Sequence, residues 1–222
     1  MAAPYLPMKA VAAPLPVGAG WAYEIKWDGM RAIVSNTSDG ALAHSSRGNE
    51  VSARFPELQL LHEHFGELDL VLDGELVAFG DDGLPSFGLL QQRMHLERRH
   101  DIERLSREVP VVFVIFDILR VEDTETLPLP FSDRRKLLES LVDPGPTWQV
   151  STLHLDDGAA LLDAVAERNM EGVVAKQLAS AYHPGTRSSA WVKVKPRRRQ
   201  EFVVGGWVTG EGERASRIAA LV

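Results

Sequence analysis

"EIKWDGMR" (residues 24–31) sets a lysine beside a tryptophan, just ahead of an Asp-Gly pair. Trp21, Tyr23, Ile25 and Trp27 alternate with Glu24, Lys26 and Asp28, the period-2 pattern of a strand with one apolar and one polar face. Asp28-Gly29 then predicts a hairpin turn, because glycine takes up positive φ at little steric cost, with Arg31-Ala32-Ile33-Val34 as the return strand. Read alone, the stretch is a half-solvated hairpin whose lysine faces water.

The flanking chain supplies more strands than helices. "ALAHSSRGNE" reads as a strand ending in a polar turn at Ser46-Arg47-Gly48-Asn49, and a short helix is expected near Phe55 to Phe65. "LDLVLDGELVAF" reads as strand, Asp-Gly turn, strand. From Phe87 to Arg107 the apolar Leu89, Leu90, Met94 and Leu105 fall at roughly helical spacing in a polar background. "VPVVFVIFDIL" is almost continuously apolar and rich in β-branched residues, as a central strand buried on both faces would be. Ser132 is expected to cap a helix through Val142, and Asp156 or Asp157 another through Asn169. "EGVVAK" and "AWVKVKP" complete the strands. Pro196 and the arginines after it read as a hinge. Residues 197–222 then begin a fresh strand and a glycine-rich turn, too short to build a core alone and therefore expected to open a larger second domain.

Composition narrows the chemistry. With 222 residues, 45% hydrophobic and 25% charged, the chain can bury the core of one domain, or of one domain and part of another. It has no cysteine, which excludes disulfides, thiolate zinc sites, iron–sulfur clusters and thiol nucleophiles, so any metal must rest on oxygen or histidine. A net charge of −7 argues against a uniformly basic coat, yet "KVKPRRR" gathers Lys193, Lys195, Arg197, Arg198 and Arg199. No apolar run is long enough to span a bilayer, and Pro4, Pro7, Pro14 and Pro16 interrupt the start, so a soluble, cytoplasmic protein without a secretion signal is expected.

One pattern recurs: apolar strands that carry a charge or two at alternating positions or at their ends. Lys26 and Arg31, Asp73 and Glu75, Asp117, Glu171 and Lys176, and Lys193 and Lys195 all fit it. If those faces converge, the charges must pair with each other, a metal or a ligand, since an unpaired buried charge is costly. Lysine is a poor nucleophile at neutral pH, where about one molecule in 2,500 carries the free amine. Neighbouring cations, such as Lys193, Lys195 and a divalent metal, would disfavour the charged form of Lys26 and stabilise charge developing on a phosphate under attack. Glu75 and Glu171 offer the oxygen ligands that magnesium or manganese prefers.

Together these segments resemble the covalent nucleotidyltransferases, the family of ATP-dependent DNA ligases, RNA ligases and capping enzymes. "KWDGMR" resembles the signature K-x-D-G-x-R, and "SRG" at 46–48, "DGEL" at 73–76, "FDI" at 116–118, "EGVVAK" at 171–176 and "WVKVK" at 191–195 are similar to further family motifs in the same order. "SFGLLQQRM", "PMKA" and "AYHPGTRSSAWVKVKPRRRQEFVVGGW" look like the ATP-dependent ligases of bacterial end joining, the ligase C and ligase D type. Met30 departs mildly from a pattern in which an aromatic residue is common.

The resemblance implies an α+β, ATP-grasp-like fold of antiparallel-rich sheets flanked by helices, with residues 1–196 as adenylation domain and 197–222 as the start of an OB domain. It implies that Lys26 attacks the α-phosphate of ATP and becomes lysyl-AMP. Glu24 and the backbone at Ile25 would read the adenine edge, Arg31 and Glu75 would hold ribose or terminal phosphate, and Arg47 the sugar-phosphate region. Phe116 would stack on the base, Glu75 and Glu171 would hold Mg2+ or Mn2+, and Lys193 and Lys195 would contact the α-phosphate. Arg47, Arg187, Arg197, Arg198 and Arg199 would touch nucleic acid, and AMP would pass to the 5′-phosphate of a nick before the 3′-hydroxyl seals the strand. Partners implied are nicked or broken duplex DNA and end-joining repair proteins, with the chain itself a monomer. Because a last family motif lies in the OB domain, the chain alone is expected to take AMP slowly.

Each residue also has an ordinary reading. Phe116 fits core packing as well as stacking, Glu24 could decorate a strand face, and Arg197 to Arg199 could be an exposed linker. His62, His64, His95 and His100 read as surface residues, and Lys176 as a phosphate contact. At the level of function, a GTP-using or RNA-joining enzyme with the same lysine chemistry and a non-catalytic nucleic-acid scaffold are the competing readings.

Overall fold

The structure is a computed structural model that describes residues 5–196, 203–212, 215 and 217–221. Two sheets face each other. The smaller holds β1 (Lys9–Ala12), β2 (Trp21–Ile25), β9 (Val173–Gln177) and β10 (Arg187–Val194) in the order β1-β10-β9-β2. The larger runs β4 (Gly40–Ser45), β3 (Met30–Thr37), β5 (Leu70–Ala78), β6 (Val111–Val121), β7 (Thr124–Glu125), with β8 (Trp148–Val150) beside β6. Most pairs are antiparallel; β1 with β10 and β6 with β8 are parallel. A separate antiparallel pair, β11 (Trp207–Thr209) with β12 (Ile218–Leu221), follows further along the chain.

Apolar side chains arrange the layers. The outer face of the large sheet packs Ala32, Val34, Leu72, Phe113 and Ile115 against Phe55, Leu58 and Leu61. Two helices, α1 (Gln59–Phe65) and α2 (Phe87–Met94), lie on that side. The outer face of the small sheet packs Tyr23, Val173, Ala175 and Val192 against Val165 of α5 (Gly158–Glu167). Between the sheets lies a third cluster of Met8, Ile33, Val71, Phe116, Leu119, Tyr182 and Trp191. Two further helices, α3 (Arg99–Glu108) and α4 (Phe131–Leu141), complete the fold; α4 runs along β6 and buries Phe131, Arg134, Arg135 and Leu138.

Several expectations are met: the turn after β4, the short helix ending at Phe65, the doubly buried β6, and Asp157 as cap of α5, its Oδ1 accepting from Ala160 N at 2.9 Å. Others are corrected. Residues 21–34 form no hairpin, because β2 pairs with β9 while β3 pairs with β4 and β5. "LDLVLDGELVAF" is one strand, β5, with a register shift against β6 at Asp73/Gly74 instead of a turn. Both Asp-Gly pairs mislead for one reason. A Cβ on Gly29 would stand 2.2 Å from the Leu76 carbonyl oxygen, and one on Gly74 2.5 Å from the Phe113 ring. These glycines permit close approach of another strand and do not supply positive φ. The segment from Phe87 to Arg107 is two helices, with Ser86 capping the first. Pro130, not Ser132, precedes α4. Arg197, Arg198 and Arg199 lie outside the described residues. Among the described residues no helix is long and apolar enough to cross a membrane.

Candidate active site

The alternation that looked half-solvated has a different meaning in three dimensions. Tyr23 packs outward beneath α5, so Glu24 points to the inner face of the small sheet, together with Lys176 of β9 and Lys193 of β10. Arg31 and Glu75 line the same space from the large sheet. The inner faces bound a cleft of about 330 Å³, and Glu24, Ile25, Lys26, Arg31, Glu75, Phe116, Arg187 and Lys193 all line it. Ser46, not Arg47, reaches its wall from the turn after β4; Arg47 is exposed beside it.

Lys26 follows the last residue of β2, where its backbone N–H still donates to the Gly172 carbonyl at 2.8 Å. Its Nζ donates to Glu171 Oε2 at 2.5 Å, and Lys195 Nζ stands 3.2 Å from Glu171 Oε1. Glu171 and Lys26 also border a second hollow of about 510 Å³ on the other side of the lysine, with Asp28, Asp81, Asp82 and Arg168. Burial, with the Glu171 charge next in importance, raises the Asp28 pKa.

Arg31 is held in a fork by the fully buried Asp73, Nε to Oδ1 and Nη2 to Oδ2 both at 2.6 Å. Tyr182 donates to Asp73 Oδ2 at 2.6 Å and accepts from the Met8 N–H at 2.9 Å, tying the residue just before β1 to the same group. Burial and the neighbouring Asp73 raise the Tyr182 hydroxyl pKa far above its ordinary value. The Arg31 guanidinium lies 4.5 Å from the Phe116 ring centre, and Lys176 Nζ 4.4 Å from it. Phe116 is 8% exposed, so only a small part of its ring is open to the cleft.

Glu24 is 2% exposed and takes a cation on each oxygen, Arg135 Nη1 at 2.8 Å and Lys176 Nζ at 2.6 Å. Burial still raises its pKa against both partners, and burial lowers that of Lys176. Lys176 is therefore committed to Glu24 and to the Phe116 carbonyl at 3.3 Å, not to a phosphate as its sequence position suggested. Burial lifts the Glu75 carboxyl to about 8, although Arg31 and Lys26 oppose it. Sequence reading missed Arg135, Asp73 as the anchor of Arg31, and Tyr182. Their partners stand 111, 42 and 109 residues away, beyond any local pattern.

The family model of the ATP dependent DNA ligase domain matches residues 7–195. The chain belongs to that family. Among its relatives is the multifunctional non-homologous end joining protein LigD of Mycolicibacterium smegmatis, 41% identical over 202 residues, covering 91% of this chain and 25% of that protein. This ligase-family chain thus spans about a quarter of that relative. The solved ligase domain of M. tuberculosis LigD superposes with a TM-score of 0.74 at 34% identity, covering 86% of this chain and 60% of that one. A mycobacterial DNA ligase D complexed with ATP and MES gives 0.73 at 34% identity, over 98% and 66% of the two chains. The α+β arrangement is accordingly that of the ligase nucleotidyltransferase domains.

Proposed function

We propose that this chain is the adenylating part of an ATP-dependent DNA ligase of end-joining repair, with Lys26 as the residue that becomes lysyl-AMP. The observation that carries the reading is the position of the Lys26 amine, at the rim of a cleft that also gathers Glu24, Arg31, Glu75 and Lys193. Lys26 Nζ, having given up a proton to water, forms a bond to the α-phosphorus of ATP as the α–β bridging P–O bond breaks and pyrophosphate leaves with that electron pair. Lys193 and Lys195 offset charge on the α-phosphate oxygens as it develops, and the Glu171 carboxylate orients the amine. Glu24 and the Ile25 backbone face the adenine edge, Phe116 the base, and Arg31, already oriented by Asp73, the ribose or terminal phosphates.

Among the described residues no group of three or more acidic or histidine side chains could hold a metal. Glu75 and Glu171 nonetheless fit magnesium or manganese, which bind through one or two carboxylates, water and substrate phosphates. Glu75 and Glu171 would hold such an ion, and it would supply positive charge next to the phosphates. AMP then passes to the 5′-phosphate of a nick in duplex DNA and the 3′-hydroxyl displaces it, with Arg47, Arg187 and Arg197 to Arg199 as backbone contacts. On this reading residues 1–196 are the adenylating unit, 197–222 open an OB-type domain, and the chain works as a cytoplasmic monomer among end-joining repair proteins.

The test is the intact mass of the chain after incubation with ATP or GTP and magnesium or manganese, beside Lys26→Ala. A single AMP adduct from ATP, absent in the variant, is expected. An adduct that persists in Lys26→Ala, or GMP taken up as readily as AMP, would refute the assignment. Sealing of a pre-adenylated nick in DNA but not in RNA tests the second half.

A further inference from the structure

Arg135 has no part in the chemistry outlined above, yet it is 4% exposed and all of its contacts run to fixed partners. Its Nη1 donates to Glu24 Oε1 at 2.8 Å, its Nε to Glu139 Oε1 at 2.7 Å, and its Nη2 to the Ser151 carbonyl. Its neighbour Arg134 pairs with Asp117 of β6, so consecutive arginines of α4 grip one carboxylate from each sheet. Glu24 in turn lines the cleft from the deep end while Lys176 holds its other oxygen at 2.6 Å.

A carboxylate so placed can only accept hydrogen bonds, and its directions are set by the cations behind it. Adenine presents a 6-amino donor and guanine a 6-oxo acceptor. An ionised Glu24 therefore suits the first and repels the second. The charged and titratable groups facing it are Lys176 from β9, Arg135 from α4 and, further off, Asp117 from β6. With Arg135 removed, a single cation would face a buried carboxylate and Asp117 would still disfavour its charge. The carboxyl would then take up a proton and become a donor that accepts guanine.

We propose that Arg135 is a positioning residue that keeps Glu24 ionised and oriented, and that it thereby sets the preference of this site for adenine over guanine nucleotides. The inference rests on the adenylating role assigned to the cleft and adds the residue that fixes its base choice.

The experiment measures Lys26 adduct formation from ATP and from GTP in wild type, Arg135→Met and Arg135→Lys, with a thermal melt of each. For Arg135→Met the ATP concentration giving half-maximal adduct-formation rate should rise about tenfold with the maximal rate constant within about threefold, as expected for one lost charge-assisted hydrogen bond to a binding group. The ratio of the second-order rate constants of adduct formation with ATP over GTP should fall by about tenfold or more, and Arg135→Lys should recover part of it. Equal losses on both nucleotides, or an unchanged ratio in a folded variant, would overturn the proposal. Should Arg135→Met fail to fold, Arg135→Gln, polar but uncharged, decides: an undiminished ratio in it would equally overturn the idea. Absence of any adduct in wild type would refute the transfer reading only. The ATP-to-GTP binding ratio, followed by fluorescence of Trp27 and Trp191 in the cleft wall, would then still decide the role of Arg135.

Discussion

Glu75→Gln replaces a carboxyl that burial lifts to about 8 from an ordinary 4.5 with a neutral group of the same shape. A carboxyl whose pKa is higher in the folded than in the unfolded chain binds more protons when folded between those two values. Stability is then full below pH 4.5 and is lost as pH rises toward 8. At about 1.4 kcal/mol for each pH unit crossed, the interval is worth at most about 5 kcal/mol. Water reaching the half-buried side chain screens part of this and the measured range starts at pH 5, so a swing of about 2 to 4 kcal/mol is expected. Urea unfolding of the nucleotide- and metal-free protein from pH 5 to 9, wild type beside Glu75→Gln, isolates the effect, since the other titrating groups are common to both. The variant should gain stability relative to wild type as pH rises, by that amount in all. A difference between the two proteins that stays constant from pH 5 to 9 would refute the reasoning. It would mean that Arg31 and Lys26 keep Glu75 ionised throughout.

Two further outcomes follow from buried contacts. Arg134 and Asp117 are both fully buried and joined twice, at 2.8 and 2.9 Å. Arg134→Met should cost about 3–5 kcal/mol by stranding the aspartate, and adding Asp117→Asn should recover at least about 1 kcal/mol; a double variant as unstable as the sum of the singles would contradict this. Gly29→Ala must fit a methyl 2.2 Å from the Leu76 carbonyl oxygen, so a loss of about 1–3 kcal/mol is expected by urea unfolding, with slower adduct formation at the neighbouring Lys26. A variant as stable and as active as wild type would show that the backbone there yields freely.

Much of the candidate cleft's lining was legible because its charged residues sit in short runs. Glu24, Lys26 and Arg31 fall within one octapeptide, Glu171 and Lys176 stand just before and within β9, and Lys193 and Lys195 stand at the end of β10 and one residue beyond it. The strands were legible too, since β6 is apolar along most of its length and β9 and β10 each carry a Val-containing apolar stretch, Val173–Ala175 and Ala190–Val194. What could not be read was which strand meets which, and so where each charge finds its partner. The "RR" of α4 looks like an exposed basic pair in a polar helix, yet both residues are buried because Asp117 and Glu24 wait for them from distant strands. Charge in a sequence signals exposure only until another element supplies the counter-charge and hydrogen bonds that make burial tolerable.

The misread hairpin has the same origin, and its correction explains why the octapeptide is arranged as it is. A hairpin would have put Lys26 and Arg31 on adjacent strands of one sheet, where neither could close around a ligand. Instead β2 ends at Ile25 in the small sheet and β3 begins at Met30 in the large one, so the residues between them cross from one sheet to the other. Lys26 stands on the near side of that crossing and Arg31 on the far side, and the cleft lies between. The crossing runs so close to β5 that no side chain fits at residue 29, which is the physical demand for glycine that local turn chemistry imitates. One short segment thus sets the proposed nucleophile on one wall and an oriented cation on the other, and the separation of the sheets fixes the width of what can bind.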